Sequence, residues 1–316
     1  MVLTVLYLSI GFALLIFGAD LLVRGASSLA KRFNVPEIVI GLTIVAFGTS
    51  TPEMIVNIIA ALKGAADISF GNIIGSNNFN ILIILGISSL IFPLEAKSNT
   101  AWKEVPFALL SAVVLLFLVN DRWLNIDSVN ILTRWDGIIL LILFSMFLVY
   151  VFKLMSSDFT NDSDTKIYRL FTTIGFIIVG LAGLILGGNF VVKNAVVIAQ
   201  QIGISERIIG LTIVAAGTSL PELATSVVAA IKKHPDIALG NVVGSNIFNI
   251  LLILGITAII NPTSYQTAFN QDLYLMIFST VLLFVLLFVP KKHKLDRYEG
   301  AIFLLMFVAY AVFFLK

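Results

Sequence analysis

Long apolar stretches separated by short polar ones run the whole length of this chain. A helix needs about 20 apolar residues to cross the ~30 Å hydrocarbon core of a membrane, and ten stretches approach or exceed that length. The pattern therefore predicts an all-α membrane protein with ten transmembrane helices. Their predicted bounds are residues 3–23, 36–62, 67–92, 104–120, 135–155, 169–190, 206–231, 236–260, 271–290 and 298–315.

Polar residues inside these stretches recur at a constant offset of 169 positions. Residues 41–53 (GLTIVAFGTSTPE) and 210–222 (GLTIVAAGTSLPE) are identical at 11 of 13 positions. Residues 67–87 and 236–256 are identical at 15 of 21 positions. Each copy puts a glutamate into an apolar stretch, which is costly unless the carboxylate has a function. The repeat therefore predicts one site at the interface of two related halves.

Five predicted helices in each half make the two halves insert in opposite orientations. We predict a first five-helix repeat at residues 1–155, a cytoplasmic linker at 156–168 and a second, inverted repeat at 169–316. Of the Lys and Arg residues, 14 lie in one set of alternate loops and 6 in the other. Because the more basic loops face the cytoplasm, both termini are predicted to be extracellular. The compact chain suits a prokaryotic plasma membrane.

Composition limits the chemistry that the chain can perform. Hydrophobic residues make up 59% of it and charged residues 12%, against about 25% charged in soluble domains. There is no cysteine and there are only two histidines, which excludes disulfides, thiolate metal sites and a histidine-rich centre. The net charge of +2 and the absence of a basic patch argue against a nucleic-acid partner. The lipid bilayer is the expected partner, and no obligatory protein partner or cofactor is indicated.

The first repeated phrase predicts a broken helix beside polar side chains. Pro52 has no N–H and its ring clashes with the carbonyl four residues back, so we expect free backbone carbonyls around residues 46–48. Thr49 and Glu53 are four residues apart and share a helix face, with Ser50 adjacent. The second copy has the equivalent residues Gly217, Thr218, Ser219, Pro221 and Glu222.

The second repeated phrase adds further oxygen donors. Ser76 and Asn80 are four residues apart, as are Ser245 and Asn249. Hard cations such as Ca²⁺ and Na⁺ prefer carboxylate, hydroxyl, amide and carbonyl oxygens, whereas transition metals prefer imidazole or thiolate. The two repeated glutamates supply a charge near −2, which matches one Ca²⁺ or about two Na⁺.

Each of these residues also has a structural interpretation. A buried glutamate could pair with a cation, but in the spans that hold the phrases the basic residues lie near the ends, at Lys63 and Lys232. Hydroxyls often bond to their own helix or join neighbouring helices, although duplication beside a glutamate favours membership of a site. Asn77 and Asn246 are left outside the predicted site, as interhelical hydrogen-bonding residues.

With these residues in view, the chain resembles the sodium/calcium exchanger family of the cation/calcium antiporter superfamily, in its compact prokaryotic form. The resemblance rests on paired G-T-S-x-P-E and G-N-x-x-G-S-N-x-x-N motifs and covers essentially the whole chain. It implies a secondary antiporter that exchanges Na⁺ for Ca²⁺, usually three for one, by alternating access. The first and sixth spans would form a sliding pair. The implied ion ligands are Glu53, Glu222, Thr49, Thr218, Ser50, Ser219, Ser76, Ser245, Asn80, Asn249 and the carbonyls of Ala46 and Ala215.

One position departs from the family pattern. Many microbial relatives carry Asp at one of the two positions that Asn80 and Asn249 occupy here. Amides at both positions argue against K⁺ dependence and leave one ionisable group fewer in the site.

Three other functions use the same residues. A cation/proton antiporter would release protons from Glu53 and Glu222 on binding Ca²⁺, and a pH gradient instead of a Na⁺ gradient would drive it. A channel would show no counter-ion requirement. An intramembrane hydrolase would need a base beside a motif serine, but no histidine lies within a predicted span. The sequence therefore predicts a transporter, not an enzyme, with Ca²⁺ and Na⁺ as its substrates.

Overall fold

The computed structural model describes residues 2–95, 103–121, 129–155, 166–201, 215–288 and 293–314. They are mostly helical, as expected where lipid offers the backbone no hydrogen bonds. The helices are α1 (Val2–Phe33), α2 (Glu37–Thr49), α3 (Thr51–Leu62), α4 (Ala66–Ile91), α5 (Val105–Leu118), α6 (Arg134–Met155), α7 (Leu170–Gln201), α8 (Ala215–Thr218), α9 (Leu220–Ile231), α10 (Pro235–Ile260), α11 (Asn270–Phe288) and α12 (Arg297–Phe314). Most of the predicted linker, residues 156–165, lies outside these ranges.

The helices form a multi-pass membrane protein. Among the described residues, six helices are long and apolar enough to cross a membrane, and α2 with α3 makes a seventh as a bent pair. Two predicted helix ends were wrong. The first span was expected to end at residue 23 and the sixth at residue 190, but α1 continues to Phe33 and α7 to Gln201. In α1 the polar side chains beyond residue 23 find partners: Arg24 pairs with Asp20, and the Ser28 hydroxyl lies 3.1 Å from that of Thr173.

The two helices that carry the second repeated phrase lie at the centre. Helices α4 and α10 are mostly buried, whereas α1, α6 and α7 expose most of their surface. Two short antiparallel strand pairs connect the halves beside this core. Leu94–Glu95 (β1) pairs with Lys294–Leu295 (β4), and Ile131–Leu132 (β2) pairs with Thr263–Ser264 (β3). Each pair takes one strand from either side of the linker.

Glycines bring α1 and α7 unusually close together. A Cβ atom built on Gly18 would lie 2.8 Å from both the carbonyl oxygen of Gly180 and the amide nitrogen of Leu184. A Cβ atom on Gly11 would lie 2.9 Å from the amide nitrogen of Val191. Small residues allow such backbone contact between membrane helices. The two long helices therefore pack as one unit.

An ion pair joins α1 to the second half. Asp20 binds Arg24 on its own helix at 2.8 Å and also binds the ammonium of Lys232, which follows α9. Lys232 donates a further hydrogen bond of 3.1 Å to the carbonyl oxygen of Asp20. Partial burial lowers the pKa of Lys232, and the Asp20 carboxylate opposes that shift.

We expect Lys232→Met to lower the free energy of unfolding by about 1 kcal/mol, the upper range for a partly exposed pair. The thermal unfolding midpoint of the detergent-solubilised chain measures this effect. Lys63→Met is the matched control, because Lys63 occupies the equivalent repeat position but is exposed and forms no ion pair within the described part of the chain. Equal midpoints for the two variants would show that the Asp20–Lys232 pair contributes nothing.

Candidate functional site

The first repeated phrase forms a helix break in both copies. Helix α2 ends at Thr49, Ser50 leaves the helical conformation (φ −80°, ψ 5°), and α3 starts at an angle of 48° to α2. Ser219 has nearly the same backbone angles (φ −88°, ψ 8°) between α8 and α9. A proline follows two residues later in each copy, where the first helical turn has no need of its N–H. The predicted break at the motif is therefore present.

The break puts each glutamate in the first turn of a new helix. Glu53 lies near the N-terminus of α3 and Glu222 near that of α9. Helix N-termini carry a partial positive charge that stabilises a carboxylate. Both side chains are nonetheless only 1% exposed, so these two acids are held inside the protein.

Hydroxyl groups from the opposite half bind each glutamate. Ser50 donates to Oε1 of Glu222 at 3.0 Å, and Ser219 donates to Oε1 of Glu53 at 3.0 Å. Ser76 lies 3.5 Å from the same oxygen of Glu53. Because each half supplies the hydroxyl for the other half's carboxylate, the two repeats build one site.

The hydroxyls of the two motif threonines also bind residues of the opposite half, and these partners were missed in the sequence analysis. Thr49 donates to Oδ1 of Asn241 at 3.0 Å, and Thr218 donates to Oδ1 of Asn72 at 3.2 Å. Asn72 and Asn241 occupy equivalent positions in the repeated G-N-x-x-G-S-N phrase, so the repeat itself was the signal that could have identified them.

Asn80 and Asn249 lie where the central helices widen. A π-helical segment starts at Asn80 in α4, and another, Phe248–Leu254, contains Asn249 in α10. Such wider turns are rare and occur frequently at functional sites. Both side chains are 1% exposed. The NH₂ group of each donates a hydrogen bond to the side-chain oxygen of an asparagine in the opposite half.

Several oxygens of this group have no hydrogen-bond donor among the residues that the structure describes. They are Oε2 of Glu53, Oε2 of Glu222, Oδ1 of Asn80, Oδ1 of Asn249 and Oγ of Ser245. Buried polar atoms normally have partners, and an unpartnered carboxylate oxygen is especially costly. Four of these atoms are equivalent pairs in the two repeats. Carboxylate, amide and hydroxyl oxygens of this kind are the ligands that hard cations prefer.

One sequence expectation about the backbone was wrong. The carbonyl of Ala46 is not freed by the break, because it accepts the Ser50 N–H at 3.0 Å and lies 3.3 Å from the Thr49 hydroxyl. The break falls at Ser50, one turn beyond Ala46, so Gly48 is the residue whose carbonyl lacks the N–H of Pro52. Ala215 is the first residue of α8, directly after residues 202–214, which lie outside the described ranges.

The electrostatics of the site favour a small positive ion. Neither Glu53 nor Glu222 forms a salt bridge with any basic residue in the described part of the chain. The described residues also contain no cluster of three or more His, Cys, Asp and Glu suited to a metal. The group instead combines two carboxylates with neutral amide and hydroxyl oxygens, as hard cations with many oxygen ligands require.

The chain is similar to a known family of cation exchangers. The sodium/calcium exchanger protein family model matches residues 3–153 and 172–316. The chain is 38% identical to the proposed antiporter CaxA of Alkalimonas amylolytica, over 98% of both chains. It is 31% identical to the sodium/calcium exchanger MaX1 of Methanosarcina acetivorans, over 97% of both chains.

A solved structure shares the fold. The sodium-calcium exchanger NCX_Mj, soaked in Na⁺ without Ca²⁺, superposes with a TM-score of 0.85 and 32% sequence identity, over 99% of both chains. The agreement extends across the site-bearing helices and the outer ones alike, because it covers nearly the whole length.

Proposed function

We propose that this chain, which belongs to the sodium/calcium exchanger protein family, exchanges Na⁺ for Ca²⁺ by alternating access. Its relatives MaX1 and NCX_Mj are transporters and not enzymes. The observation that carries the proposal is the set of buried, unpartnered oxygens that the two repeats contribute in equivalent pairs. The relative MaX1 is named as an exchanger of the same two ions.

The proposed ligands surround Glu53 and Glu222. Glu53 and Glu222 supply the charge, and the neutral oxygens complete the coordination of a hard cation. The neutral ligands are the side chains of Thr49, Thr218, Ser50, Ser219, Ser76, Ser245, Asn80 and Asn249 and the carbonyls of Ala46 and Ala215. The Ala46 carbonyl retains a second lone pair for this role, although it already accepts a backbone hydrogen bond.

Competition for these oxygens explains exchange. Two carboxylates without a counter-charge are expensive to enclose in a low-dielectric interior, so the site closes only when Ca²⁺ or several Na⁺ ions neutralise them. Neither set of ions leaves room for the other. Na⁺ entering down its gradient would therefore displace Ca²⁺, and the paired helices α1 and α7 would move together to open the site to one side at a time.

The proposed topology has ten membrane spans in two inverted halves, residues 1–155 and 169–316, joined by a cytoplasmic linker at 156–168. It is supported by the constant offset of the repeat, by the hydrogen bonds between the glutamates of one half and the serines of the other, and by the two strand pairs that join the halves. The more basic alternate loops would face the cytoplasm. Both termini would then lie outside the cell.

Flux under imposed gradients tests the proposal. Purified protein is reconstituted into liposomes loaded with Na⁺, and these are diluted into Na⁺-free buffer containing radioactive Ca²⁺. We expect rapid Ca²⁺ accumulation that disappears when internal Na⁺ is replaced by choline. Accumulation driven by a pH gradient in the absence of Na⁺ would identify a cation/proton antiporter instead. Uptake that needs no counter-ion would identify a channel.

A further inference from the structure

Four asparagines, two from each repeat, form a closed cluster between α4 and α10. Asn80 donates to Oδ1 of Asn246 and Asn249 donates to Oδ1 of Asn77, each at 2.9 Å. Asn77 donates to the backbone carbonyl of Asn246 at 3.3 Å, and Asn246 donates to that of Asn77 at 3.4 Å. All four side chains are buried. The same hydrogen bonds are found when the two repeats are interchanged.

The backbone carbonyls give this cluster a direction. A carbonyl oxygen can only accept a hydrogen bond, so the side chain of Asn77 must present its NH₂ group to Asn246. Its oxygen then faces the other way, towards Asn249, and can accept only from an NH₂ group. The amide of Asn249 is thereby held with its nitrogen towards Asn77. Its oxygen is left on the side without a hydrogen-bond partner among the described residues.

We propose that Asn77 and Asn246 are positioning residues that force the amides of Asn249 and Asn80 to present oxygen, and not NH₂, to the transported cation. The proposal rests on the proposed function, in which Asn80 and Asn249 are ligands. It changes the expected role of Asn77 and Asn246 from simple interhelical contacts to control of the ligand atom. In each case the residue that orients a ligand belongs to the opposite repeat.

Shape alone could not make this selection. The oxygen and the NH₂ group of an amide are nearly equal in size, so a 180° rotation of the side chain fits the same space. The two orientations have opposite consequences for a cation, which binds the oxygen and is repelled by the NH₂ hydrogens. Only a hydrogen-bond network of fixed direction distinguishes them. The chain from backbone carbonyl to Asn77 to Asn249 provides that direction.

A double-mutant cycle on the full-length protein in detergent tests the proposal, with equilibrium binding of radioactive Ca²⁺ as the measurement. We expect Asn77→Ala to weaken Ca²⁺ binding about tenfold, since the loss of one buried hydrogen bond has effects of that order. In an Asn249→Asp background the same substitution should cost less than about twofold, because a carboxylate presents oxygen in either orientation. A role confined to helix packing would give the same cost in both backgrounds.

Asn78→Ala is the matched control. Asn78 is the neighbouring residue on α4, is equally buried, and donates a hydrogen bond of 2.9 Å to the backbone carbonyl of Asp272. In the described part of the chain it makes no hydrogen bond to a proposed ligand. We expect its Ca²⁺ affinity to stay within about twofold of wild type. The mirror cycle, Asn246→Ala with and without Asn80→Asp, repeats the test from the other repeat if Asn77→Ala folds poorly.

The outcomes separate this proposal from the proposed function. If the wild-type protein fails to bind Ca²⁺, or if Glu53→Gln binds it normally, the ion site itself is wrong. If wild type binds, Glu53→Gln does not, and both cycles are additive, the site stands and the positioning role of Asn77 and Asn246 is refuted.

Discussion

Glu222→Gln is expected to weaken Ca²⁺ binding at least about 100-fold and to abolish Na⁺-driven Ca²⁺ uptake. Glutamine keeps the size of the side chain and an oxygen for the Ser50 hydroxyl, which now donates at 3.0 Å. What it removes is half of the negative charge in the site. One unit-charge pair at ~4 Å is worth about 4 kcal/mol at an effective dielectric of ~20. Because each 1.36 kcal/mol is tenfold in affinity, a loss of about 100-fold in Ca²⁺ affinity is a lower bound.

Glu37→Gln controls for the loss of a buried carboxylate elsewhere. Glu37 is 8% exposed, pairs with His234 at 3.0 Å and belongs to α2, the helix that ends at the first break. We expect Ca²⁺ affinity close to wild type in this variant. Glu53→Gln should behave as Glu222→Gln does, because the two carboxylates are equivalent. Normal binding by either site variant would place the ion elsewhere.

Gly18→Ala is expected to destabilise the protein by about 1–3 kcal/mol, the usual cost of overpacking a tight interface. The added methyl group would lie 2.8 Å from two backbone atoms of α7, the Gly180 oxygen and the Leu184 nitrogen. Backbone atoms cannot rotate away as a flexible side chain can, so α1 and α7 must separate. Thermal unfolding in detergent measures the stability, and Na⁺-driven uptake shows whether separation also slows transport.

Gly175→Ala is the matched control on α7. A Cβ atom at Gly175 would meet nothing within 4 Å, and alanine is favoured over glycine inside a helix by about 0.5–1 kcal/mol. We expect a small gain in stability. A similar gain for Gly18→Ala would show that the two helices are not held as closely as the structure describes.

The sequence predicted the parts of the site that depend on local chemistry. A proline inside an apolar helical stretch removes one backbone hydrogen bond and clashes with the carbonyl four residues back, so a helix break near Pro52 and Pro221 could be predicted from the motif. The same repeat brought Glu53 and Glu222 to equivalent positions. Their burial also followed, because the surrounding residues are apolar.

What the sequence could not supply was the identity of partners across the interface. Asn241 is 192 positions from Thr49, and only the packing of α10 against α2 brings their side chains within 3.0 Å. The direction of the asparagine cluster depends in the same way on two backbone carbonyls whose positions no side-chain pattern encodes. The first span was predicted to end at residue 23, but α1 continues to Phe33. Asp20, near that predicted end, pairs with Lys232, which the sequence places 212 positions away.

The length of α1 and α7 makes the tilt of these two helices depend on bilayer thickness. Each helix has 32 residues and is therefore about 48 Å long, well beyond a hydrocarbon core of ~30 Å. Such helices tilt or project from the bilayer, and each ångström of hydrophobic mismatch costs a fraction of a kcal/mol. Because the glycine contacts join their backbones, neither helix can adjust its tilt alone. A thinner or thicker host membrane therefore changes the tilt of both helices together. The shorter, buried helices that carry the proposed ion ligands are shielded from this effect.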